Sequence, residues 1–167
     1  MYVVGDIVVY NEDGVCRVEN VGALKIASAD RDQLYYTLRP LNGDGRIYVP
    51  VDTKLPIRPA LSREDALELI RQMPGIQAEI SRLNNRRVLE DHYRALMQPH
   101  TPQSLVKTLK SIYEKRNDGD KLRALSSTDE YYRKRAEALL HQELSVALDI
   151  PVEDVENFIV RTIEAGA

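Results

Sequence analysis

The side chains that could support nucleophilic, acid–base or metal chemistry are few and far apart in this chain. There are three histidines, His92, His100 and His141, and a single cysteine, Cys16. The histidines lack the spacing of a metal site such as His-Glu-x-x-His. A small apolar core position for Cys16 and surface positions for the histidines are the simpler interpretations. We therefore predict no metal site and no cofactor, and we prefer a non-enzymatic function to an enzyme that uses Cys16 or a histidine.

Basic side chains are concentrated in one stretch of the second half. Between Arg82 and Arg135 there are thirteen lysines and arginines against seven acidic residues, whereas residues 136–167 hold one arginine against seven acids. Clustered cations can neutralise phosphates, which predicts a local nucleic-acid contact. A solvated helical surface and pairing with the acidic tail are the alternatives. The basic residues are Arg82, Arg86, Arg87, Arg94, Lys107, Lys110, Lys115, Arg116, Lys121, Arg123, Arg133, Lys134 and Arg135.

Composition limits the possible partners and compartments. A chain of 167 residues with 43% hydrophobic residues can form one large domain or two small ones, and its net charge of −3 argues against a basic surface over the whole molecule. One cysteine cannot form an intramolecular disulfide. No stretch has the pattern of a signal peptide or the length of apolar sequence that spans a bilayer. We predict a cytoplasmic protein without a membrane segment, and composition leaves its oligomeric state open.

The first 60 residues have the pattern of short β-strands separated by turn residues. Gly5-Asp6, Asn11–Gly14 and Asn42–Gly45 supply turn chemistry, and Gly43-Asp44-Gly45 joins two strands rather than opening a phosphate-binding helix. Four or five short strands in this length predict a small, strongly curved Tudor/SH3-like β barrel. The predicted strands are Ile7–Tyr10, Val15–Val21, Leu34–Leu38 and Arg46–Val51.

The pattern becomes helical after the prolines at 56 and 59, and Ser62 supplies a start signal. We predict five helices, with the second running from Ile76 to Met97 and the fourth opening on the capping box Ser127-x-x-Glu130. The fold class is therefore α+β. A barrel over residues 1–60 precedes an all-α helical domain with a basic face over residues 61–167. The predicted inner positions of the second helix are Ile80, Leu83, Leu89, Tyr93 and Leu96.

One motif runs through the strands of the predicted barrel. It reads Gly5-Asp6-x-Val8-Val9-Tyr10-x-x-x-Gly14-x-x-x-Val18, followed by Tyr35-Tyr36-x-Leu38 and Val49-Pro50-Val51-Asp52. In this wording it resembles the opening module of the CarD family of bacterial transcription regulators. The resemblance implies that the barrel binds a lobe of the RNA polymerase β subunit by adding an exposed strand edge to edge. The matching strand is Arg46–Pro50, and we expect Leu24-Lys25-Ile26 on the strand that faces it. The implied polymerase-binding residues are Lys25, Ile26, Arg46, Tyr48, Val49 and Pro50.

A looser resemblance over the helical half implies a second contact, with promoter DNA at the upstream edge of the transcription bubble. Well-known members wedge a tryptophan into the minor groove there, but this chain has no tryptophan and places Asn85 at or beside that position. The resemblance implies a regulator that modulates open-complex stability through weak DNA contacts without sequence specificity. A protein-only adaptor without DNA contact is the alternative. The implied DNA-binding residues are Arg82, Asn85, Arg86, Arg87, Lys107 and Lys110.

Overall fold

The computed structural model describes residues 1–25, 32–83, 85–117 and 125–166, and it divides the chain into two compact units. Unit 1 is Met1–Ala60 and unit 2 is Leu61–Ala167. The first is a β-sheet and the second is helical, so the predicted α+β fold class is confirmed. None of the helices in the described ranges has the length and apolar character needed to cross a membrane.

Where the structure describes it, unit 1 is a five-stranded antiparallel sheet with the strand order β4-β3-β2-β1-β5. Positive φ angles at Asn11 and Gly14 make the tight turn between the first two strands. The short strands β4 and β5 are the two edge strands of this sheet. The strands are β1 (Ile7–Tyr10), β2 (Gly14–Gly22), β3 (Tyr35–Pro40), β4 (Ile47–Pro50) and β5 (Ile57–Pro59).

Alternating residues of these strands form the core of unit 1. Val8, Cys16, Val18 and Leu38 are fully buried in one apolar cluster. Cys16 is the core residue that the sequence predicts, and burial, with a smaller contribution from Asp13, raises the pKa of its thiol to about 11. The side chains between these positions point to the opposite face of the sheet, because successive residues of a strand face opposite sides.

The expected partner of β4 is corrected by the register. β4 pairs with β3, with Tyr48 opposite Thr37, and not with the segment that contains Lys25. β2 ends at Gly22, so Leu24 and Lys25 lie beyond its end, and Ile26 lies outside the described residues. The expectation of a facing strand was wrong for Leu24 and Lys25, because β3 is the next strand in the meander and occupies that place.

The described residues of unit 2 form five α-helices and two short 3₁₀ turns, Met73–Gly75 and Val152–Asp154. Thr101 caps α3, with Pro102 at the first helical position. The cap of α4 is Ser126 with Asp129, one residue before the predicted pair. The helices are α1 (Arg63–Gln72), α2 (Arg86–Met97), α3 (Pro102–Arg116), α4 (Ser127–Leu148) and α5 (Val155–Gly166).

The helices of unit 2 enclose two apolar clusters. The larger includes residues of α1, α3, α4 and α5, such as Ile70, Leu109 and Leu144. The smaller contains Leu89, Tyr93 and Leu96 of α2 with Ile112 of α3. The second cluster fixes α2 against α3, so the first turn of α2 has a defined position relative to α3.

The second helix begins ten residues later than predicted, at Arg86 instead of Ile76. Residues 76–83, here called the connecting segment, have no helical structure, and Leu83 is 63% exposed rather than buried. Asn85 ends the non-helical stretch because its side chain caps α2. The predicted inner face is correct for Leu89, Tyr93 and Leu96, and it is wrong for Leu83.

Candidate functional site

β4 presents a free backbone edge among the strands that the structure describes. Its only neighbour in the sheet is β3. The N–H of Val51 donates to the carbonyl of Leu34 at 3.0 Å, so Val51 directs its backbone groups toward β3. Backbone direction alternates along an antiparallel strand, which turns Val49 toward β3 as well and turns Tyr48 and Pro50 toward the open side. Pro50 has no N–H to offer on that side. The N–H and C=O of Tyr48 are therefore the donor and acceptor that β4 presents at its open edge.

The side chains of β4 alternate between buried and exposed positions. Val49 is 1% exposed within the core, whereas the Tyr48 ring is 48% exposed. Arg46, next to the start of the strand, is also exposed, and its Nε lies 2.5 Å from a carboxylate oxygen of Glu19. The sheet thus brings Arg46, Tyr48, Val49 and Pro50 together, and the core position of Val49 fixes which way Tyr48 points.

Lys110 of α3 holds the 3₁₀ turn Met73–Gly75 and the first residue of the connecting segment. Its ammonium donates hydrogen bonds to the carbonyl oxygens of Met73 at 2.9 Å, Pro74 at 3.3 Å and Ile76 at 2.6 Å. An ammonium has three donors, and these three carbonyls account for all of them. Lys110 therefore has a positioning role within unit 2.

Glu79 attaches the middle of the connecting segment to α2 and α3. Its backbone N–H donates to Ser111 Oγ at 2.9 Å, and its carbonyl oxygen lies 2.8 Å from His92 Nε2. Its carboxylate accepts a hydrogen bond from Lys107 Nζ at 2.6 Å. This hydrogen bond and the positive charge of Lys107 lower the pKa of the Glu79 carboxyl. The segment thus keeps a defined path without helical hydrogen bonds.

The connecting segment leads to an exposed, positively charged helix start. The Asn85 side-chain oxygen accepts hydrogen bonds from the N–H groups of Arg87 at 3.0 Å and Val88 at 3.3 Å. Arg86 and Arg87 follow in a first turn without any acidic residue, although the helix dipole disfavours cations there. The Arg86 side chain is 84% exposed, with Nε 3.1 Å from Glu90. The two arginines and the helix dipole together favour an anion at this end of α2.

Other members of the predicted basic face are engaged inside unit 2. Lys115 is nearly buried, with Nζ 3.1 Å from the Asp129 carboxylate. Arg133 lies 2.9 Å from Glu130 and 3.1 Å from Glu137. Lys121 and Arg123 fall outside the described residues. The cations that remain exposed in the predicted DNA-binding set are Arg82, Arg86 and Arg87.

Residues 2–60 match the family model of the CarD-like/TRCF RID domain. Unit 1 is a CarD-like RNA polymerase-interacting domain. The predicted family resemblance is therefore confirmed for this part of the chain, and the RID domain gives the protein a transcription-associated role that involves binding to RNA polymerase. The match ends at the boundary of unit 2. None of the curated proteins matches the chain significantly.

The RID domain also contains charged residues that the sequence reasoning missed. Arg17 of β2 and Arg39 of β3 are exposed and lie opposite each other in the register. The alternation of the strands was a signal for them, because Arg17 stands between the buried residues Cys16 and Val18 and Arg39 follows the buried Leu38. The contacts of Glu79 with Ser111 and His92 had no such signal, because they join elements that are distant in the sequence.

The residues first considered for chemistry are dispersed in the structure. Cys16 is in the core of the RID domain, and His92 contacts a backbone carbonyl in unit 2. Within the described ranges, no group of three or more histidine, cysteine, aspartate or glutamate side chains could hold a metal ion. The exposed features on which a functional proposal can rest are the β4 edge and the start of α2.

Proposed function

We propose that the RID domain binds the β subunit of RNA polymerase by pairing a strand of that subunit with the free edge of β4. The observation that carries this proposal is the orientation of Tyr48, whose backbone N–H and C=O face the open side of the sheet. Main-chain pairing would provide affinity, and exposed side chains would provide specificity. Arg46 and Tyr48 would contact the partner, and Val49 and Pro50 would fix the edge.

We further propose that unit 2 contacts promoter DNA at the upstream edge of the bubble and modulates open-complex stability. Arg82, Arg86 and Arg87 would contact phosphates, and these contacts would be weak and without sequence specificity. Asn85 would keep its cap hydrogen bonds and would not wedge between bases, since an amide is a poor substitute for a stacked ring. Lys107 and Lys110 would act indirectly, because their ammonium groups already bind Glu79 and backbone carbonyls. The protein would act in the cytoplasm of a bacterium, where the polymerase is.

A matched pair of substitutions at Tyr48 tests the edge-pairing proposal. Tyr48→Ala removes the ring and keeps the N–H, whereas Tyr48→Pro also removes the outward-facing N–H without taking a donor from the β3 ladder. The affinity of the full chain for core RNA polymerase should fall further in the proline variant, by about fivefold relative to alanine for one hydrogen bond of about 1 kcal/mol.

The control is Tyr131→Ala, which removes a ring that is 62% exposed in unit 2. It should leave the affinity for polymerase unchanged in the absence of DNA. Equal affinities of the alanine and proline variants would contradict main-chain pairing at this edge. Tight polymerase binding with no change in open-complex lifetime, and with no effect of Arg86 or Arg87 substitutions, would favour the protein-only adaptor.

A further inference from the structure

A cavity of about 420 Å³ lies between α2 and α4 in unit 2. Arg86, Glu90 and Arg94 line it from α2, where their spacing of four residues places them on one face of the helix. The first two turns of α4 form the other wall. Pockets for small ligands typically measure about 300–1,000 Å³, so this cavity is large enough for one ligand of modest size. The lining residues of α4 are Ser127, Thr128, Tyr131 and Tyr132.

Tyr131 is the outermost of three tyrosine rings that contact one another in turn. At the inner end, Tyr93 is 1% exposed, and its hydroxyl donates a hydrogen bond to Asp129 at 2.5 Å. The Tyr132 ring centroid lies 5.0 Å from that of Tyr93, and Tyr131 meets Tyr132 edge to face at 5.1 Å. An edge-to-face contact covers at most one face of a ring. Tyr131 is 62% exposed, so it presents at least one open ring face whose position is fixed by a buried anchor.

The α2 wall of the cavity has two guanidinium groups that keep donors available. Arg86 contacts Glu90 through Nε at 3.1 Å, which leaves the terminal nitrogens of its five-donor guanidinium for another acceptor. Arg94 lies 3.9 Å from Glu90 and 4.0 Å from Asp91, distances that are too long for hydrogen bonds. The Arg86 and Arg94 side chains are 84% and 68% exposed. An anion in the cavity could therefore accept hydrogen bonds from both arginines.

An open aromatic face beside two guanidinium groups matches the chemistry of a nucleotide. A nucleobase stacks on an aromatic side chain, and a phosphate accepts hydrogen bonds from arginine. An acidic peptide would use the arginines but not the ring face of Tyr131. The base must be unpaired, because both faces of a base inside a duplex are covered by its neighbours. Tyr131 lines a cavity on α4, so its predicted contact differs from that of a side chain that wedges between paired bases.

We propose that this cavity binds one unpaired nucleotide, with the base stacked on Tyr131 and the phosphate held by Arg86 and Arg94. The nucleotide belongs either to a single strand of nucleic acid or to the free nucleotide pool, since both present the same chemistry. The inference goes beyond the proposed phosphate contacts, with which it shares Arg86. It does not depend on edge pairing at β4 or on polymerase binding.

The test compares the affinity of the full chain for two labelled probes, a short oligothymidylate and an abasic strand of the same length, by fluorescence anisotropy. Tyr131→Ala should weaken binding to oligothymidylate by about five- to tenfold, at the low end for the loss of one base–aromatic stack. It should leave binding to the abasic strand unchanged. Tyr131→Phe keeps the ring and should bind like the unaltered chain, whereas Tyr131→Leu keeps apolar bulk without a ring and should bind like the alanine variant.

A second set of measurements tests the arginines and the source of the nucleotide. Arg94→Gln should weaken binding to both probes and make the salt dependence shallower by about 0.7 for one phosphate of a single strand. Arg161→Gln, which removes an exposed arginine of α5, is the matched control and should have no effect. Displacement of the oligothymidylate by micromolar free nucleoside triphosphate, lost in Tyr131→Ala, would assign the cavity to a free nucleotide. Displacement only by another strand would assign it to nucleic acid.

The possible failures can be told apart. Equal affinity of the unaltered chain for the two probes would overturn the nucleotide site, and so would an equal loss of affinity for both probes in Tyr131→Ala. Displacement by a glutamate-rich peptide and not by any nucleotide would assign the cavity to an acidic partner instead. If duplex promoter DNA binds through Arg86 and Arg87 without any effect of Tyr131, the proposed phosphate contacts stand and the nucleotide site is wrong. A chain that discriminates between the probes but does not bind polymerase would contradict the proposed function and support the site.

Discussion

Arg87→Gln and Lys110→Met should reduce DNA affinity in two different ways, although both remove one positive charge. Arg87 is exposed in the first turn of α2, where its guanidinium can reach a phosphate. The Lys110 ammonium donates to the carbonyls of Met73 and Pro74, just before the connecting segment, and to that of Ile76, its first residue. We therefore expect a phosphate contact to be lost in the first variant and the position of Arg82 and Asn85 to be disturbed in the second.

The dependence of affinity on salt separates these two effects. The logarithm of the binding constant falls with the logarithm of salt concentration with a slope of about −0.9 per phosphate contacted. One contact fewer makes the slope shallower by about 0.9, which amounts to roughly a 3.5-fold smaller loss of affinity between about 50 and about 200 mM salt. Lys110→Met should lower affinity by at most about tenfold at every salt concentration, with the slope unchanged, because it weakens positioning hydrogen bonds worth about 1 kcal/mol or somewhat more.

Fluorescence anisotropy of a labelled promoter duplex, titrated with the full chain at four salt concentrations, measures both quantities. Lys107→Met is a useful comparison, because its ammonium is bound to the Glu79 carboxylate and the variant should resemble Lys110→Met. A shallower slope for Lys110→Met would mean that its ammonium contacts a phosphate and that its carbonyl contacts are not retained on DNA. An unchanged slope for Arg87→Gln would refute the phosphate contact at the start of α2.

Three further outcomes concern buried groups. Cys16, buried and with its pKa raised to about 11, should react with iodoacetamide at pH 8 only after unfolding, and rapid labelling of the folded chain would contradict its core position. Asp129→Ala should lower the free energy of unfolding by about 3 to 5 kcal/mol in urea titrations, because it leaves the Lys115 ammonium buried without its carboxylate; a loss below about 1 kcal/mol would show that the site is hydrated. Burial alone would raise the pKa of Asp129, but hydrogen bonds from Tyr93, Ser126 and Lys115 outweigh it and lower that pKa. The stabilisation is therefore present above about pH 4 and is lost as the pH falls further, so Asp129→Asn should flatten the acid limb of the stability curve.

The sheet could be predicted from the sequence because its signals are local. Turn residues separate the strands, and alternation selects the buried positions, so four strands were found within a few residues of their ends. β5 was missed because Pro56 and Pro59 argue against a strand. At an edge, however, proline is tolerated, and the carbonyl of Pro56 still accepts a hydrogen bond from Asn11 at 2.7 Å.

The connecting segment could not be predicted because distant residues determine it. Ile76, Ile80 and Leu83 have the spacing of a helical face, which predicts a helix from Ile76. Side chains of α2 and α3 instead bind the backbone of the segment, at Glu79 and at the carbonyl of Ile76. These contacts replace helical hydrogen bonds. They join residues far apart in the chain, so the hydrophobic pattern of the segment itself does not predict them. The start of α4 was predicted one residue too late for a related reason. Ser126 and Ser127 are both good N-cap residues, so residue type alone does not choose between them.

The free edge of β4 is short, and its shortness bears on how the protein would bind polymerase. Pro50 removes one donor, so few main-chain hydrogen bonds are available around Tyr48, each worth about 1 kcal/mol. Affinity would then depend on the exposed side chains of the sheet and on a second contact elsewhere. Two linked modules that bind the same assembly gain affinity without any new contact, because the second binding step becomes intramolecular. A DNA contact of unit 2 that is weak in isolation, with Asn85 in place of a stacking ring, would therefore still matter once the RID domain is bound to polymerase at a promoter.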